Sequence, residues 1–205
     1  FKFEFDSQPG YQKMDKENKL VPGLPPGFED RWSNKLLLKK KLIKAIEKNF
    51  IKFGAEALET PSFEISESIG SFLAEDEANP MSDVFSFQDG EKSITLRYDL
   101  SSPLARFVAQ NNQELPSIFK RYQIQNVFRN EKAGNGRYRE FMQADFDIVG
   151  NVDPAQANAE LCNVISSTLS DCGLNKDQFT INVSNRKIVQ GLIDELKFHY
   201  ALNFF

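Results

Sequence analysis

The residues best equipped for chemistry crowd into one stretch of the chain. Arg129, Lys132, Arg137 and Arg139 share a segment with Glu131, Gly134 and Gly136, and Gln143, Asp145 and Asp147 follow at alternate positions. Cations gathered around loop glycines make a flexible basic patch suited to a polyphosphate. Acceptors at every second residue of a strand share one of its faces, and beside such cations they suit a zwitterionic ligand. The sequence has one histidine, His199, so two-histidine metal sites and imidazole-centred acid–base catalysis are not expected. Cys162 and Cys172 form no Cys-x-x-Cys pair and read as small buried hydrophobes of a protein in a reducing cytosol. No metal site is expected.

These side chains need a rigid scaffold. Lys120–Arg129 (KRYQIQNVFR) and Glu140–Gly150 (EFMQADFDIVG) flank a polar loop, Asn130–Arg139, and read as a long antiparallel hairpin. On the second arm Met142, Ala144, Phe146 and Ile148 fall on one face, and Phe141, Gln143, Asp145 and Asp147 on the other. On the first arm Gln123, Gln125 and Arg129 share one parity, Tyr122, Ile124 and Phe128 the other. A sheet with one solvated side would show the same periodicity. The sorting of acceptors from cations, in place of the Thr, Lys and Glu of an ordinary wet face, points instead to a ligand.

Around the hairpin, Val21–Asp30 (VPGLPPGFED) is a turn-rich entry loop. Trp32, Leu36, Ile43, Ile46, Phe50 and Phe53 recur at helical spacing, with Lys35, Lys39, Lys40, Lys44 and Lys48 between them, up to a stop near Gly54. The lysines read as the solvated face of that helix, a nucleic-acid-facing surface being the alternative. Glu59-Thr60-Pro61 closes a short extended segment whose proline suits a strand end. Asp83–Gln88 and Ser93–Arg97 form a hairpin with Asp89-Gly90 as the turn, and Ser102-Pro103 opens a helix with Pro103 at its first position. Asp153-Pro154 starts a helix that stops at Gly173. Phe179–Val183 reads as a strand and Arg186 to about Lys197 as a last helix.

The 205 residues carry a net charge of −4 and are 40% hydrophobic, enough for a globular core. A pI near 5.2 argues against nonspecific binding of polyanions. No run is apolar and long enough for a membrane span, and residues 1–20 lack the charged and apolar regions of a signal peptide. Those twenty form an irregular N-terminal segment, and residues 21–205 one core. A start at Phe1 and an apolar end, Ala-Leu-Asn-Phe-Phe, suggest that both termini are cuts.

FRNEKAGNGRYREFMQ, with Arg129, Glu131, the basic loop and Phe141, resembles motif 2 of class II aminoacyl-tRNA synthetases. Its GRYREF form is similar to the histidyl-tRNA synthetase family. So are LRYDLSSPLARF (Leu96–Phe107), QADFDIVG (Gln143–Gly150) and VSNRKIVQG (Val183–Gly191), and the lysine-bearing helix with Glu59-Thr60-Pro61 resembles motif 1. The ordered set covers roughly Val21 to Gly191.

The resemblance implies an α+β fold, an antiparallel sheet flanked by helices, in a cytoplasmic homodimer. It implies that histidine and ATP, accompanied by Mg2+, give histidyl-adenylate and pyrophosphate, and that the histidyl group then passes to tRNA(His). That chemistry asks for alignment and charge stabilisation, because the substrate's own carboxylate is the nucleophile. By resemblance, Arg129 contacts the α-phosphate and the substrate carboxylate, Glu131 the adenine edge and Arg137 the outer phosphates, while adenine stacks on Phe141. Asp99, Leu100 and Ser101 match the segment that receives the ammonium group, Gln143 lies near the carboxylate or amine, and Asp147 recognises the ligand. Ser101 stands where the family usually has Thr. Bland alternatives are surface ion pairs for Arg129 and Glu131 and a core position for Phe141. Asp145 is either solvated or supports its neighbours, and Arg139 is a phosphate contact or lies behind one.

The family's second histidine signature, its motif 3 and its anticodon-binding domain have no counterpart up to residue 205, so this chain alone is expected to be inactive. The other reading is the non-catalytic regulatory subunit of ATP phosphoribosyltransferase, which shares the resemblance. Retention of Arg129, Glu131 and the cationic loop favours the synthetase.

Overall fold

The computed structural model describes residues 22–69 and 84–195. The irregular segment expected for residues 1–20, His199 and the end of the last helix lie outside these residues. Helix α1 (Ser33–Lys52) leads into strands β1 (Glu56–Ala57) and β2 (Phe63–Ile65) and the short helix α2 (Ser66–Ile69). Then come β3 (Ser86–Asp89), β4 (Lys92–Leu96), α3 (Ser101–Asn111), β5 (Ile118–Phe128), β6 (Glu140–Gly150), α4 (Pro154–Asp171) and α5 (Arg186–Glu195). The strands make two three-stranded sheets, β1-β5-β6 and β2-β4-β3. β1 runs parallel to β5, and every other pairing is antiparallel.

The long hairpin forms as its alternation predicts. β5 and β6 pair without interruption from Ile118 opposite Gly150 to Phe128 opposite Glu140. Its apolar face is the main core. Phe50 of α1, Ala55, Tyr122 of β5 and Val164 of α4 are buried together, with Ile46, Phe53, Ile124 and Phe146 packed around them. Phe50 meets the rings of Tyr122 and Phe146 at centroid distances of 5.8 and 5.4 Å, tilted and edge-on, geometries that the ring quadrupoles favour. Two helices thus cover one face of the hairpin and leave the other for chemistry.

Helix α4 starts where Asp153-Pro154 predicts. The Asp153 carboxylate accepts hydrogen bonds from the Ala155 and Gln156 amides at 2.7 and 3.1 Å, satisfying two of the donors a helix start leaves unpaired. Helix α3 differs in detail from expectation. It begins at Ser101, so Pro103 is its third residue, still among the first four positions whose amide protons have no helical acceptor. The Asp99 carboxylate accepts from the Ser102 amide at 3.0 Å and so anchors this turn.

Three other expectations are corrected. The β3–β4 turn is Gly90-Glu91, because Asp89 pairs with Lys92; Gly90, at φ +60°, supplies the left-handed conformation such a tight turn needs. Phe179–Val183 is not a strand. A strand needs a neighbour to accept its ladder, and no described strand lies beside this segment; Val183 is exposed. Trp32, counted with the apolar stripe of α1, precedes the helix and is 78% exposed. The stripe is buried only toward Asn49 and Phe50, where α4 and β5 cover it, while Leu37, Leu38 and Leu42 remain exposed. Lys35, Lys40, Lys44 and Lys48 are exposed as expected, and Lys39 is half-buried.

Candidate active site

Hairpin register assembles the site. Arg121 lies opposite Asp147, Gln123 opposite Asp145, Gln125 opposite Gln143, and Val127 opposite Phe141. Directly opposed residues share a face, so these side chains form a single row on the side away from α1 and α4. The solvated-sheet alternative fails for the first arm, where Arg121 and Gln123 are 0% exposed.

At the loop end of this row, Arg129, Glu131, Gly136, Arg137, Tyr138 and Phe141 line an open cleft of about 340 Å³. All four residues assigned by resemblance to the nucleotide therefore meet in one place. The Arg129 guanidinium sits 4.4 Å from the centroid of Tyr98 and 5.0 Å from that of Phe141. Two aromatic faces so hold a permanently charged fork of donors. Glu131 accepts from the Tyr98 hydroxyl at 3.3 Å and lies 3.6 Å from Arg137, whose side chain is 71% exposed. Phe141 is only partly buried. Arg139 is turned to structural work. Its guanidinium bonds Asn130 and stacks 4.6 Å from the Phe85 centroid, and its amide donates to the Gly27 carbonyl at 2.8 Å. The Arg139 stem packs so closely on Gly27 that a Cβ there would fall 2.6 Å from Cγ.

The other end of the row is acidic, with Asp145 and Asp147 half-buried over the buried Arg121 and Gln123. Arg121 Nη2 lies 2.8 Å from Asp147 Oδ2, off the hydrogen-bonding direction, and donates to the Leu100 carbonyl at 3.1 Å. Its Nη1 donates to Gln123 Oε1 at 3.2 Å, and Gln123 Nε2 donates to the Thr60 hydroxyl at 2.8 Å and to Gln125. Gln125 Oε1 also accepts from Arg97 Nη1 at 3.0 Å, and Arg97 donates to the backbone carbonyls of Thr60 and Asn126, both at 2.7 Å. A polar ladder thus links β4, the segment after β1, and the hairpin. Burial holds the Asp145 and Asp147 carboxyls above the ordinary carboxylate range. Arg121 opposes the rise in both, and the negative charges of Asp147 and Asp99 add to it at Asp145.

The segment expected to receive an ammonium group divides its tasks. Asp99 caps α3, Leu100 is fully buried and holds Arg121 through its carbonyl, and Ser101 is exposed at the start of α3. Gln143 Oε1, Asp147 Oδ2 and Arg121 Nε are buried without a hydrogen-bond partner among the described residues. Buried polar atoms are nearly always satisfied; Asp147 Oδ2 has the charge of Arg121 beside it, so Gln143 Oε1 is the atom on this hairpin face that offers itself to a ligand. Among the described residues no three His, Cys, Asp or Glu side chains gather to hold a metal ion.

Sequence reasoning missed Arg121, Gln123 and Arg97. The signal for the first two is parity, since residues 121, 123 and 125 alternate onto the polar face, but parity alone gives none of them a role. Arg97 sits inside LRYDL, and nothing local shows that it braces the neighbouring sheet.

Residues 27–203 match the family model described as Histidyl-tRNA synthetase. The chain is 78% identical over 184 residues to a histidine–tRNA ligase of Pelagibacter ubique (strain HTCC1062), an overlap covering 90% of this chain and 40% of that protein. It is 39% identical over 186 residues to the histidine–tRNA ligase of Rhodopseudomonas palustris (strain BisB18), covering 90% of this chain and 36% of that one. The histidyl-tRNA synthetase structure from Nostoc sp. PCC 7120 superposes with a TM-score of 0.71 at 25% identity, over 87% of this chain and 38% of the other. A structure described as an ATP phosphoribosyltransferase regulatory subunit/histidyl-tRNA synthetase from Bacillus halodurans C shares the fold, with a TM-score of 0.66 at 23% identity over 78% of this chain and 40% of that one. The chain thus spans about two fifths of the length of these curated relatives. With the motifs in family order and the mixed α/β fold in agreement, the chain belongs to the histidyl-tRNA synthetase family.

Proposed function

We propose that this chain forms part of the catalytic core of a cytoplasmic, homodimeric histidine–tRNA ligase. ATP and L-histidine would react to histidyl-adenylate and pyrophosphate, and the histidyl group would then be transferred to tRNA(His). The observation that carries this reading is the single hairpin face with a cleft lined by Arg129 and Arg137 at one end and the half-buried Asp145 and Asp147 at the other. A triphosphate and a cationic amine require opposite charges, and an in-line attack requires them side by side.

The histidine carboxylate attacks the α-phosphorus of ATP. A bond forms from a carboxylate oxygen to phosphorus, the bond to the bridging oxygen breaks, and pyrophosphate departs with that electron pair. Arg129 neutralises the carboxylate and the α-phosphate as charge concentrates there. Arg137 meets the outer phosphates from the loop, Phe141 provides the stacking face and Glu131 accepts from the adenine edge. Asp99 and Ser101 take the ammonium group with Gln143, and Asp147 accepts from the imidazole. Leu100 acts only through its backbone. Mg2+, implied by the family, would enter as a companion of the ATP phosphates. The exposed Leu37, Leu38 and Leu42 of α1 support the dimer, since an apolar helix side is stabilised by burial.

The test is ATP–pyrophosphate exchange in the full-length protein, measured with and without histidine. Exchange that needs histidine supports the ligase. Histidine binding without exchange would favour the regulatory-subunit reading. Arg129 and Arg137 in the cleft lining favour the ligase, because a histidine sensor has no need of them.

A further inference from the structure

Arg121 is the largest side chain shut wholly away from solvent among the described residues, and the reaction as derived gives it nothing to do. Arginine is rarely buried unless charge and hydrogen bonds compensate. Here the compensation comes from three separate segments: Asp147 on β6 at 2.8 Å, the Leu100 carbonyl before α3 at 3.1 Å, and Gln123 on β5 at 3.2 Å. Leu100 lies between Asp99 and Ser101, so one guanidinium ties the ammonium-receiving segment to the carboxylate that faces the imidazole.

From these ties we infer that Arg121 is a positioning residue for the amino-acid pocket, fixing Asp147 and the Asp99–Ser101 segment relative to each other and thereby setting the affinity for histidine. The inference rests on the ligase reading and adds to it.

Charge and geometry argue the same way. Asp99, Asp145 and Asp147 together carry three negative charges around this point, and Arg121 cancels one of them. The net of two that remains still attracts a cationic ligand, without the mutual repulsion that would splay three uncompensated carboxylates. Asp147 keeps 31% of its side chain exposed while one of its oxygens lies against Arg121, so the carboxylate stays reachable with its orientation set from beneath. A planar fork holds a carbonyl and a carboxylate at once, and a lysine ammonium is a single point that does so poorly. The nucleotide cleft is lined by other residues and is not braced by Arg121.

The experiment compares wild type, Arg121→Met, Arg121→Lys, Asp147→Asn and the Arg121→Met/Asp147→Asn pair in the full-length protein, by histidine-dependent ATP–pyrophosphate exchange. Arg121→Met is expected to raise the KM for histidine roughly tenfold to a hundredfold while the KM for ATP moves by less than about threefold, the scale of a misplaced binding group. Arg121→Lys is expected between wild type and Arg121→Met, which keeps the test open should the methionine variant fail to fold. The double variant is expected to bind histidine about as poorly as the worse single variant, because both substitutions break one coupled unit. Equal rises in both KM values, a fall in kcat alone, fully additive effects, or a lysine variant equal to wild type would each overturn the inference. Wild-type exchange with an unaffected Arg121→Met sinks this inference only, whereas wild-type protein without histidine-dependent exchange removes the ligase reading as well.

Discussion

The two ends of the polar hairpin face are built on opposite plans. At the loop end, Arg129 is held by two aromatic faces, and Arg137 stands largely in solvent with Glu131 3.6 Å away. At the acidic end, the buried Arg121, Gln123 and Arg97 interlock through the half-buried Gln125. On the proposed reading the loop end takes a triphosphate, which is large, flexible and highly charged, so a few cations on an exposed loop suffice to capture and align it. The acidic end, on the same reading, takes histidine, which is small and must be told from other amino acids. Rejection of the wrong ligand is strongest where buried polar groups are left unpaired by it, and that requires a site set in advance.

Arg129→Ala should produce the largest effect, because on the proposed reading it removes the donor that meets charge at the reacting phosphorus itself. Histidine-dependent exchange should fall by about a hundredfold to a thousandfold, the scale of losing one charge-stabilising donor. A loss below about threefold would place the α-phosphate elsewhere and break the division between the two ends. Asp147→Asn should act on the other side of it. The KM for histidine should rise by roughly ten- to a hundredfold with ATP affinity little changed, and equal loss of both would signify misfolding.

The same carboxylate gives a pH signature. Burial raises the Asp147 pKa above its usual value and Arg121 only partly offsets this. As pH falls, Asp147 therefore takes up its proton earlier than an ordinary aspartate, and histidine binding weakens from a correspondingly higher pH. The linkage to stability has the opposite sense. A carboxyl whose folded pKa is raised favours the folded state below the unfolded value, and that contribution is lost as pH rises through the folded one. Arg121→Met would remove the opposing cation and move the acid limb of kcat/KM for histidine to still higher pH. An acid limb unmoved by either substitution would separate Asp147 from histidine recognition.

How legible each end was in the sequence follows from the same contrast. The loop end is local: Arg129, Glu131, Arg137 and Phe141 lie within one short segment, and the hairpin that folds it back is written in alternation and glycine placement. The acidic end is assembled from distant segments. Gln123 bonds Thr60, Arg121 bonds Leu100, and Arg97 bonds Gln125; no periodicity within any one segment announces those meetings. Parity places Asp147 on the polar face and the resemblance supplies its role, yet its buried partner on the facing strand depends on a register that no local pattern fixes. Phe179–Val183 shows the complementary error. β-propensity alone does not make a strand where no neighbouring edge receives it.

A stability comparison sharpens the contrast further. Gln123→Leu would leave the Thr60 hydroxyl and Arg121 Nη1 without their partner in a buried setting, at a cost of about 1–3 kcal/mol. Arg137→Ala removes an exposed side chain with one loose ion pair, a loss of about 0–1 kcal/mol. Thermal unfolding of the two variants should separate them by several degrees, with the KM for ATP raised only in Arg137→Ala. Equal melting temperatures would show that the acidic end is no more tightly set than the loop.

The smallest effect is expected away from both ends. Lys40 is exposed on α1 and Lys39 half-buried; burial lowers the pKa of Lys39, Arg31 adds to the fall and Glu140 opposes it. Neither lysine lines the cleft or joins the ladder. Replacing both with Ser removes surface charge whose individual contribution is about 0–1 kcal/mol, so exchange should stay within about twofold of wild type. A larger drop in exchange would mean that this helix face, beside the exposed Leu37, Leu38 and Leu42, supports the site from a subunit contact. Unchanged exchange with impaired charging of tRNA would place the lysines against nucleic acid, because loss of phosphate contacts weakens polyanion binding without touching adenylate chemistry.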